Sequence, residues 1–255
     1  MGNTDAKNDR SCLSVRTLLL KLSVMLLALC AFLHVGVAQA YADDIGSITI
    51  DGTTKNYSKL EDLANALEGY GDKTLTIDML ADWNASYGKE DLFDHRLYIP
   101  QNCNVTFNMH GHIFDRDNVY DNDNDNDGEL IYVDTGTTLT INGYSTDEES
   151  MTVHDRVHVF YRMEQETAQT RFITVNGGCL AGGNGSCGTG GIYINTDKDV
   201  ALNNVTIAGC KATYHWYDSG FNSGYGAGII ITHPNAKLKM NQCLLTGCLA
   251  EEDEA

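Results

Sequence analysis

Apolar and polar positions alternate along much of this chain in short runs, and the alternation itself recurs with a long period. The segment GGIYINTDKDVALNNVTIAGCKA, opening at Gly190, returns as AGIIITHPNAKLKMNQCLLTGCLA, opening at Ala227. Ile192 and Ile194 correspond to Ile229 and Ile231, and Leu202 and Val205 to Met240 and Cys243. A period of two inside a repeat of this length predicts short parallel strands stacked in register, a solenoid. The pattern extends upstream as LYIP from Leu97, NVTFNM around Phe107 and HIF at His112. A second turn is expected from ELIYV at Glu129, TTLTING with Leu139 and Ile141 inward, and MTVH at Met151. A third, less regular turn is expected from HVFYRM and RFITV ahead of Gly177.

Ahead of these runs the period changes. SITIDG from Ser47 reads as a strand, and Leu60, Leu63, Ala64 and Leu67 then fall on one helical face that Gly69 and Gly71 terminate. TLTIDML from Thr74 reads as a further strand. Residues 41–95 are therefore expected to be a strand, helix and strand cap over the first turn, whose edge and core would otherwise be open. The fold class expected is all-β, a parallel solenoid over residues 96–255 behind a short β/α cap.

Residues 1–40 carry a polar, basic leader ending at Lys21, an unbroken apolar run LSVMLLALCAFL, and the small residues Ala38 and Ala40 around Gln39. That order predicts a secretory signal peptide, with the mature chain starting at Tyr41 or Asp43. The formal net charge of -18 includes Lys7, Arg10, Arg16 and Lys21 of this leader, outnumbering Asp5 and Asp9, so the exported part is more acidic still. Phosphate backbones and anionic lipid would be repelled, which argues against nucleic-acid binding and against direct membrane insertion of the mature segment. Export would expose Cys103, Cys179, Cys187, Cys210, Cys243 and Cys248 to oxidising conditions. Cys210 and Cys248 hold the same place in the two copies, and either a disulfide or a buried thiol stack is open to them. The chain stops at EEDEA directly after a repeat, so truncation of a longer protein is expected.

IPQNCNVTFNMHGHIFD, GTTLTING, and GGNGSCGTGGIYI with NNVTIAGCKA carry a family resemblance that spans about residue 47 to the end. The chain resembles the right-handed parallel β-helix proteins of the pectate-lyase-like architecture. Within them it is similar to secreted bacterial adhesin-like proteins related to polymorphic outer-membrane proteins. The resemblance implies a right-handed helix and a role at the cell surface or outside the cell, binding glycans or host or neighbour-cell surface proteins. Where that family has asparagine in the last unit, this chain has Cys210 and Cys248, which puts an asparagine ladder in doubt there.

Several segments invite chemistry. In DNDNDNDGELIYVD, Asp123, Asp125, Asp127, the Glu129 carbonyl and Asp134 fall at calcium-loop positions one, three, five, seven and twelve, with Gly128 at the turn. Hard oxygen donors at alternate positions suit Ca²⁺, against the plainer reading of a solvated acidic bend. The loop TYHWYDSGFNSGY gathers Tyr214, Trp216, Tyr217 and Phe221, which suit sugar rings or protein partners unless they fold onto the solenoid wall. GGNGSCGTGG from Gly182 lacks the lysine and helix of a phosphate loop and reads as a strand corner. HDRVH sets His154, Arg156 and His158 on one face by alternation, with Asp155 on the other, a polar outer wall rather than a catalytic set.

Hydrolases and lyases of this architecture group carboxylates on neighbouring turns. Here Asp197 and Asp199 face Pro234 and Ala236 in one register, or Asn235 and Lys237 in the other, and no catalytic residue is assigned. The leading expectation is an adhesin-like binding protein displaying loops from the scaffold. Its rivals are a polysaccharide lyase or glycoside hydrolase of the same architecture, and a spacer within a larger surface protein.

Overall fold

A computed structural model describes residues 44–84, 96–116, 128–144, 153–161, 169–185, 189–214 and 226–252. The signal-peptide expectation lies outside them. Among the described residues the chain is mostly β, with five sheets and a single helix.

The N-terminal part runs β1 (Gly46–Ile50), β2 (Thr53–Tyr57), α1 (Leu60–Glu68), β3 (Thr74–Met79) and β4 (Trp83–Asn84). Strand β2 was not expected: β1 and β2 form an antiparallel hairpin around Asp51 and Gly52, both at positive φ, and β1 also pairs antiparallel with β3. The helix forms where the periodicity placed it, with Leu63, Ala64 and Leu67 buried and Glu61 and Asp62 in its first turn, where the helix dipole favours acidic side chains.

Four passes of the chain follow. The first is β5 (Leu97–Ile99), β6 (Asn104–Asn108) and β7 (Ile113–Asp115). The second is β8 (Ile131–Val133), β9 (Thr138–Asn142), β12 (Cys179–Ala181) and β13 (Asn184–Gly185), interrupted by β10 (Val153–Tyr161) and β11 (Gln169–Asn176). The third is β14 (Ile192–Ile194), β15 (Asp199–Asn203), β16 (Thr206–Ala208) and β17 (Lys211–Tyr214). The last is β18 (Ile229–Ile231), β19 (Lys237–Asn241), β20 (Leu244–Thr246) and β21 (Leu249–Glu252).

Each pass gives one strand to each of several parallel sheets, ordered β3-β6-β9-β15-β19, β4-β7-β12-β16-β20, β5-β8-β14-β18 and β13-β17-β21. The register expected from the repeat is the one observed: Ile192 pairs with Ile229 and Leu202 with Met240. Of the two registers open to Asp199, the structure adopts the one facing Lys237.

Because strand side chains alternate, every second residue along the longer strands of the first three passes enters one core. Ile131, Val133, Leu139, Ile141, Leu180, Ile192, Ile194, Val200, Leu202 and Ile207 are all fully buried there. Helix α1 contributes Leu63 and Leu67 to the same cluster. Trp83 packs between Phe107, stacked at 5.6 Å, and Phe114, edge-on at 5.5 Å, and its indole N–H donates to the Ile45 carbonyl at 2.8 Å. Corners are held by polar side chains that reach across passes. Thr137 donates to the Pro100 carbonyl at 2.6 Å, and Thr196 to the Thr137 carbonyl at 2.8 Å. An asparagine ladder runs along the ends of β6, β9 and β15, with Asn142 donating to Asn108 at 2.9 Å and Asn203 to Asn142 at 3.0 Å.

Two expected turns are corrected. HVFYRM and RFITV do not make a solenoid turn: β10 and β11 pair with each other as an antiparallel hairpin. MTVH does not complete the second pass either, since its last residues begin β10 and the place beside β7 and β16 is taken by Cys179–Ala181. The hairpin is an insertion with an apolar underside. Val157, Val159 and Val175 pack on Ile113, Cys179, Ala181 and Ala208, covering the outer face of the β7-β12-β16 sheet.

The insertion approaches the corners of the last two passes closely. The Phe160 amide donates to the Gly247 carbonyl at 2.8 Å. Gly209 and Gly247 stand at φ 61 and 59, and a Cβ on Gly209 would lie 1.7 Å from the His158 carbonyl oxygen. Glycine is required there twice over, by the left-handed backbone and by the hairpin above it. Gly209→Ala should therefore destabilise by ~1–3 kcal/mol and loosen the hairpin first. Hydrogen exchange should show protection lost in β10 and β11 and kept in β14 and β15. Phe107→Ala, which removes the ring stacked on Trp83, should cost ~3–5 kcal/mol in urea unfolding, while Phe172→Ala on the exposed hairpin face should stay within ~0.5 kcal/mol.

Candidate functional site

The β5-β8-β14-β18 sheet carries the most organised outward-facing chemistry. Each of its strands is three residues long, and in the first three the flanking residues are buried in the core while the middle one, Tyr98, Tyr132 or Tyr193, faces out; in β18 the pattern breaks, with Ile230 buried and Ile231 exposed. In-register pairing sets the three rings over one another, with centroids 5.6 Å and 4.9 Å apart and planes within 18° and 10°. The Arg96 guanidinium lies 4.4 Å from the Tyr132 ring centre and 6.0 Å from that of Tyr98. Its Nη1 is 2.7 Å from Glu129 Oε1, an ion pair with the carboxylate almost wholly buried.

The hydroxyl ends are arranged as regularly as the rings. Tyr98 donates to Asp134 Oδ2, and Asn195 Nδ2 donates to the Tyr132 hydroxyl at 3.3 Å. Thr232 donates to Asn195 Oδ1 at 3.4 Å. The partner in each tyrosine contact lies two residues beyond the stacked tyrosine of the following pass, so one register builds both rows. Burial pushes the Tyr98 phenol up, reinforced by its bond to Asp134. Burial also pushes the Asp134 carboxyl up, but hydrogen bonds from Tyr98 and from the Thr135 amide and hydroxyl outweigh it, and the net shift is down. Asp134 is thus held as a carboxylate, an acceptor and not a proton donor at neutral pH.

The ring faces are spent on one another. What the row offers a ligand is ring edges and hydroxyls repeating at about the strand spacing of ~4.8 Å, flanked by a guanidinium and a carboxylate. Such a face is suited to hydrogen bonding with a polyhydroxylated or polar chain. Sequence reasoning missed it, although LYI, IYV and IYI at 97–99, 131–133 and 192–194 were its signal.

A second polar group gathers where β4 leads away from the cap. Asp82 Oδ1 lies 3.0 Å from His112 Nδ1, and Asp82 Oδ2 lies 3.9 Å from His154 Nδ1. His154 Nε2 donates to the Gly111 carbonyl at 2.8 Å. Asp78 Oδ1 accepts from Asn108 Nδ2 and faces His110 Nε2, each at 2.9 Å. The expected arrangement of HDRVH is corrected here. A register shift between His154 and Val157 interrupts the alternation, so His154 turns inward and is buried while His158 stays on the hairpin's outer face.

Of the calcium-loop positions, Asp123, Asp125 and Asp127 lie outside the described residues. Glu129 and Asp134 are described, and the structure separates them. The intervening residues 131–133 are extended as β8, at ~3.3 Å per residue, which puts the two ends too far apart to share an ion whose ligands lie ~2.3–2.6 Å from it. The Glu129 carbonyl meanwhile accepts from Arg116 Nη1 at 3.1 Å. Among the described residues no group of three or more His, Cys, Asp or Glu could hold a metal ion. Trp216, Tyr217 and Phe221 lie outside the described residues, as does the side chain of Tyr214, whose backbone ends β17.

Cys210 and Cys248 lie in successive passes, both as free thiols. Cys210 is fully buried, its thiol 3.6 Å from the Ala208 carbonyl, and that of Cys248 is 3.7 Å from the Thr246 carbonyl. Interaction between the two neighbouring thiols, with burial, pushes Cys210 up, and the same interaction brings Cys248 down.

No known protein family, curated protein or solved structure matches the chain. Among the described residues no helix is long and apolar enough to cross a membrane.

Tyr98→Phe tests the tyrosine row. A carboxyl with a lowered folded-state pKa contributes stability that is present above its ordinary value of 3.8 and lost as pH falls toward the folded value. Removing the Tyr98 hydroxyl should raise the Asp134 pKa and shrink that acid-dependent loss. Stability curves for the two proteins should therefore differ near neutral pH and converge at low pH.

Proposed function

We propose that this chain is a right-handed parallel β-helix with an N-terminal β/α cap, exported to the cell surface or beyond, where it acts as an adhesin-like binding protein. The parallel, in-register pairing of four passes in three sheets supports the architecture, and the order of chain segments supports the role. Residues 85–95, 117–127 and 215–225 end one to three residues ahead of a strand of the tyrosine-bearing sheet, namely β5, β8 and β18. These three polar segments lie outside the described residues, and in the sequence each leads into a strand of one sheet, the sheet that bears Tyr98, Tyr132 and Tyr193. That shared order along the chain is the observation that carries the reading. Many weak contacts repeated along a rigid rod give avidity without any deep pocket.

The ligand class proposed is a glycan or a protein of a host or neighbouring cell. Glycan arrays and cell-binding assays with the intact chain should give a positive signal. Trp216→Ala, Tyr217→Ala and Tyr193→Ala should each weaken it about tenfold, or ~1.4 kcal/mol, with thermal midpoints little changed. A blank across both assays with a folded protein overturns the role. A crystal structure whose passes do not advance along a single axis overturns the architecture. The enzymatic rival draws on one observation, the Asp82 carboxylate between His112 and His154. Polysaccharide turnover abolished by Asp82→Asn would favour it over adhesion.

A further inference from the structure

We propose that Cys210 and Cys248 close into a disulfide that ties the third pass to the last. The two residues end the same Gly-Cys pair in the two copies of the repeat. Parallel pairing holds them from both sides: Ala208 is opposite Thr246, and Lys211 is opposite Leu249. The Gly209 amide donates to the Thr246 carbonyl at 3.1 Å, and the Leu249 amide to the Cys210 carbonyl at 2.9 Å. Their Cα atoms are therefore about one strand spacing apart, ~4.8 Å, inside the ~4.4–6.8 Å span of disulfides. Both cysteines follow a glycine in the same left-handed conformation, at φ 61 and 59, so their side chains leave the backbone in the same direction. Each thiol points back to the carbonyl two residues before it, Cys210 to Ala208 at 3.6 Å and Cys248 to Thr246 at 3.7 Å, so the two side chains are disposed alike.

Closure needs the two Cβ atoms to approach from strand spacing to ~3.5–4.5 Å, a movement on the order of 1 Å. The last pass can supply it. Its Met240, Leu244 and Leu245 are 41%, 52% and 46% exposed, whereas their partners Leu202, Thr206 and Ile207 in the third pass are buried. Among the described residues the other sulfurs hold different places in the register. Cys243 points its thiol at the Leu202 and Asn241 carbonyls on another corner, and Cys179 is paired in register with Thr206.

The oxidant is a small disulfide such as glutathione disulfide. The half-buried Cys248 attacks it as the thiolate, forming a mixed disulfide and releasing one glutathione thiolate. Cys210, after losing its proton, attacks the Cys248 sulfur, forming the intramolecular bond and releasing the second glutathione thiolate. The two protons lost by the cysteines end on the two glutathiones, and the two electrons reduce the glutathione disulfide. The resulting ring encloses β17 through β20 and fastens the most exposed pass to the buried one below. It requires the stacking seen in the strand pairing and does not depend on any ligand.

The test is peptide mapping of the full chain after equilibration with glutathione disulfide, with free thiols alkylated under denaturing conditions. The tryptic peptide of Cys248 also carries Cys243, so Cys243→Ser is mapped beside the parent protein. A dominant cross-linked peptide joining Cys210 to Cys248 in both is the expected result. Recovery of either cysteine mainly as the alkylated thiol, or joined to Cys179, Cys187 or Cys243, overturns the proposal. Thermal melting gives a second reading: dithiothreitol should lower the midpoint of the oxidised parent by several degrees and leave Cys248→Ser unmoved. Equal sensitivity in the two proteins overturns it as well.

Discussion

The interaction on which everything else depends is the parallel pairing of successive passes in strict register, one strand spacing apart. Under it no position is independent. Ile192 lies between Ile131 and Ile229, so a core residue is judged by the residues above and below as much as by its own strand. The same rule aligns polar side chains. Asn108, Asn142 and Asn203 meet because each ends a strand of one sheet, and each donates to the residue of the pass before it: Asn203 to Asn142, Asn142 to Asn108 and Asn108 to Asp78. Removing one would leave its neighbours short of a partner in a half-buried place, a larger loss than one average hydrogen bond. Stacked tyrosines, corner threonines and neighbouring thiols arise from the same geometry.

Strict register also explains how the structure accepts a large insertion. The chain leaves the second pass after β9, makes the β10–β11 hairpin, and resumes at β12 with the ladder unbroken. Closing a long loop costs little more than closing a short one, so the length of the detour is a weak penalty. The hairpin then gives something back by covering Ile113, Ala181 and Ala208, which would otherwise form an apolar patch on the outside of the sheet. Its fit depends on glycine at two successive corners, where the backbone turns left-handed and a side chain would strike β10.

How far the molecule could be read from its letters varied with the physical signal. Helix α1 was legible because four apolar residues share a helical face, and the last two passes were legible because the repeat is explicit. The hairpin was not, since HVFYRM and RFITV alternate as any strand does and nothing local says whether a strand pairs with the pass below or with its own neighbour. His154 went astray for a related reason, because one irregularity in pairing reverses the direction of every side chain beyond it. Glu129 and Asp134 match a calcium loop only if the chain between them is curved. Ile131, Tyr132 and Val133 make it extended. The tyrosine row was overlooked because a tyrosine between two aliphatic residues is unremarkable in one strand and becomes a feature only when three strands are aligned.

By itself the sequence determined that Leu139 and Ile141 face inward, where the helix of the cap lies, and that the two copies at Gly190 and Ala227 stack with Ile192 on Ile229. These follow from periodicity, which is local or repeats at a fixed interval and so survives in one dimension. Tertiary structure decided which strand completes the second pass, what covers the outer face of its sheet, and which polar groups meet: Arg96 with Glu129, Tyr98 with Asp134, Asp82 with His112. Those partners are 33, 36 and 30 residues apart. Only the folding of one pass onto the next, with a hairpin inserted between, brings such distant letters within hydrogen-bonding reach.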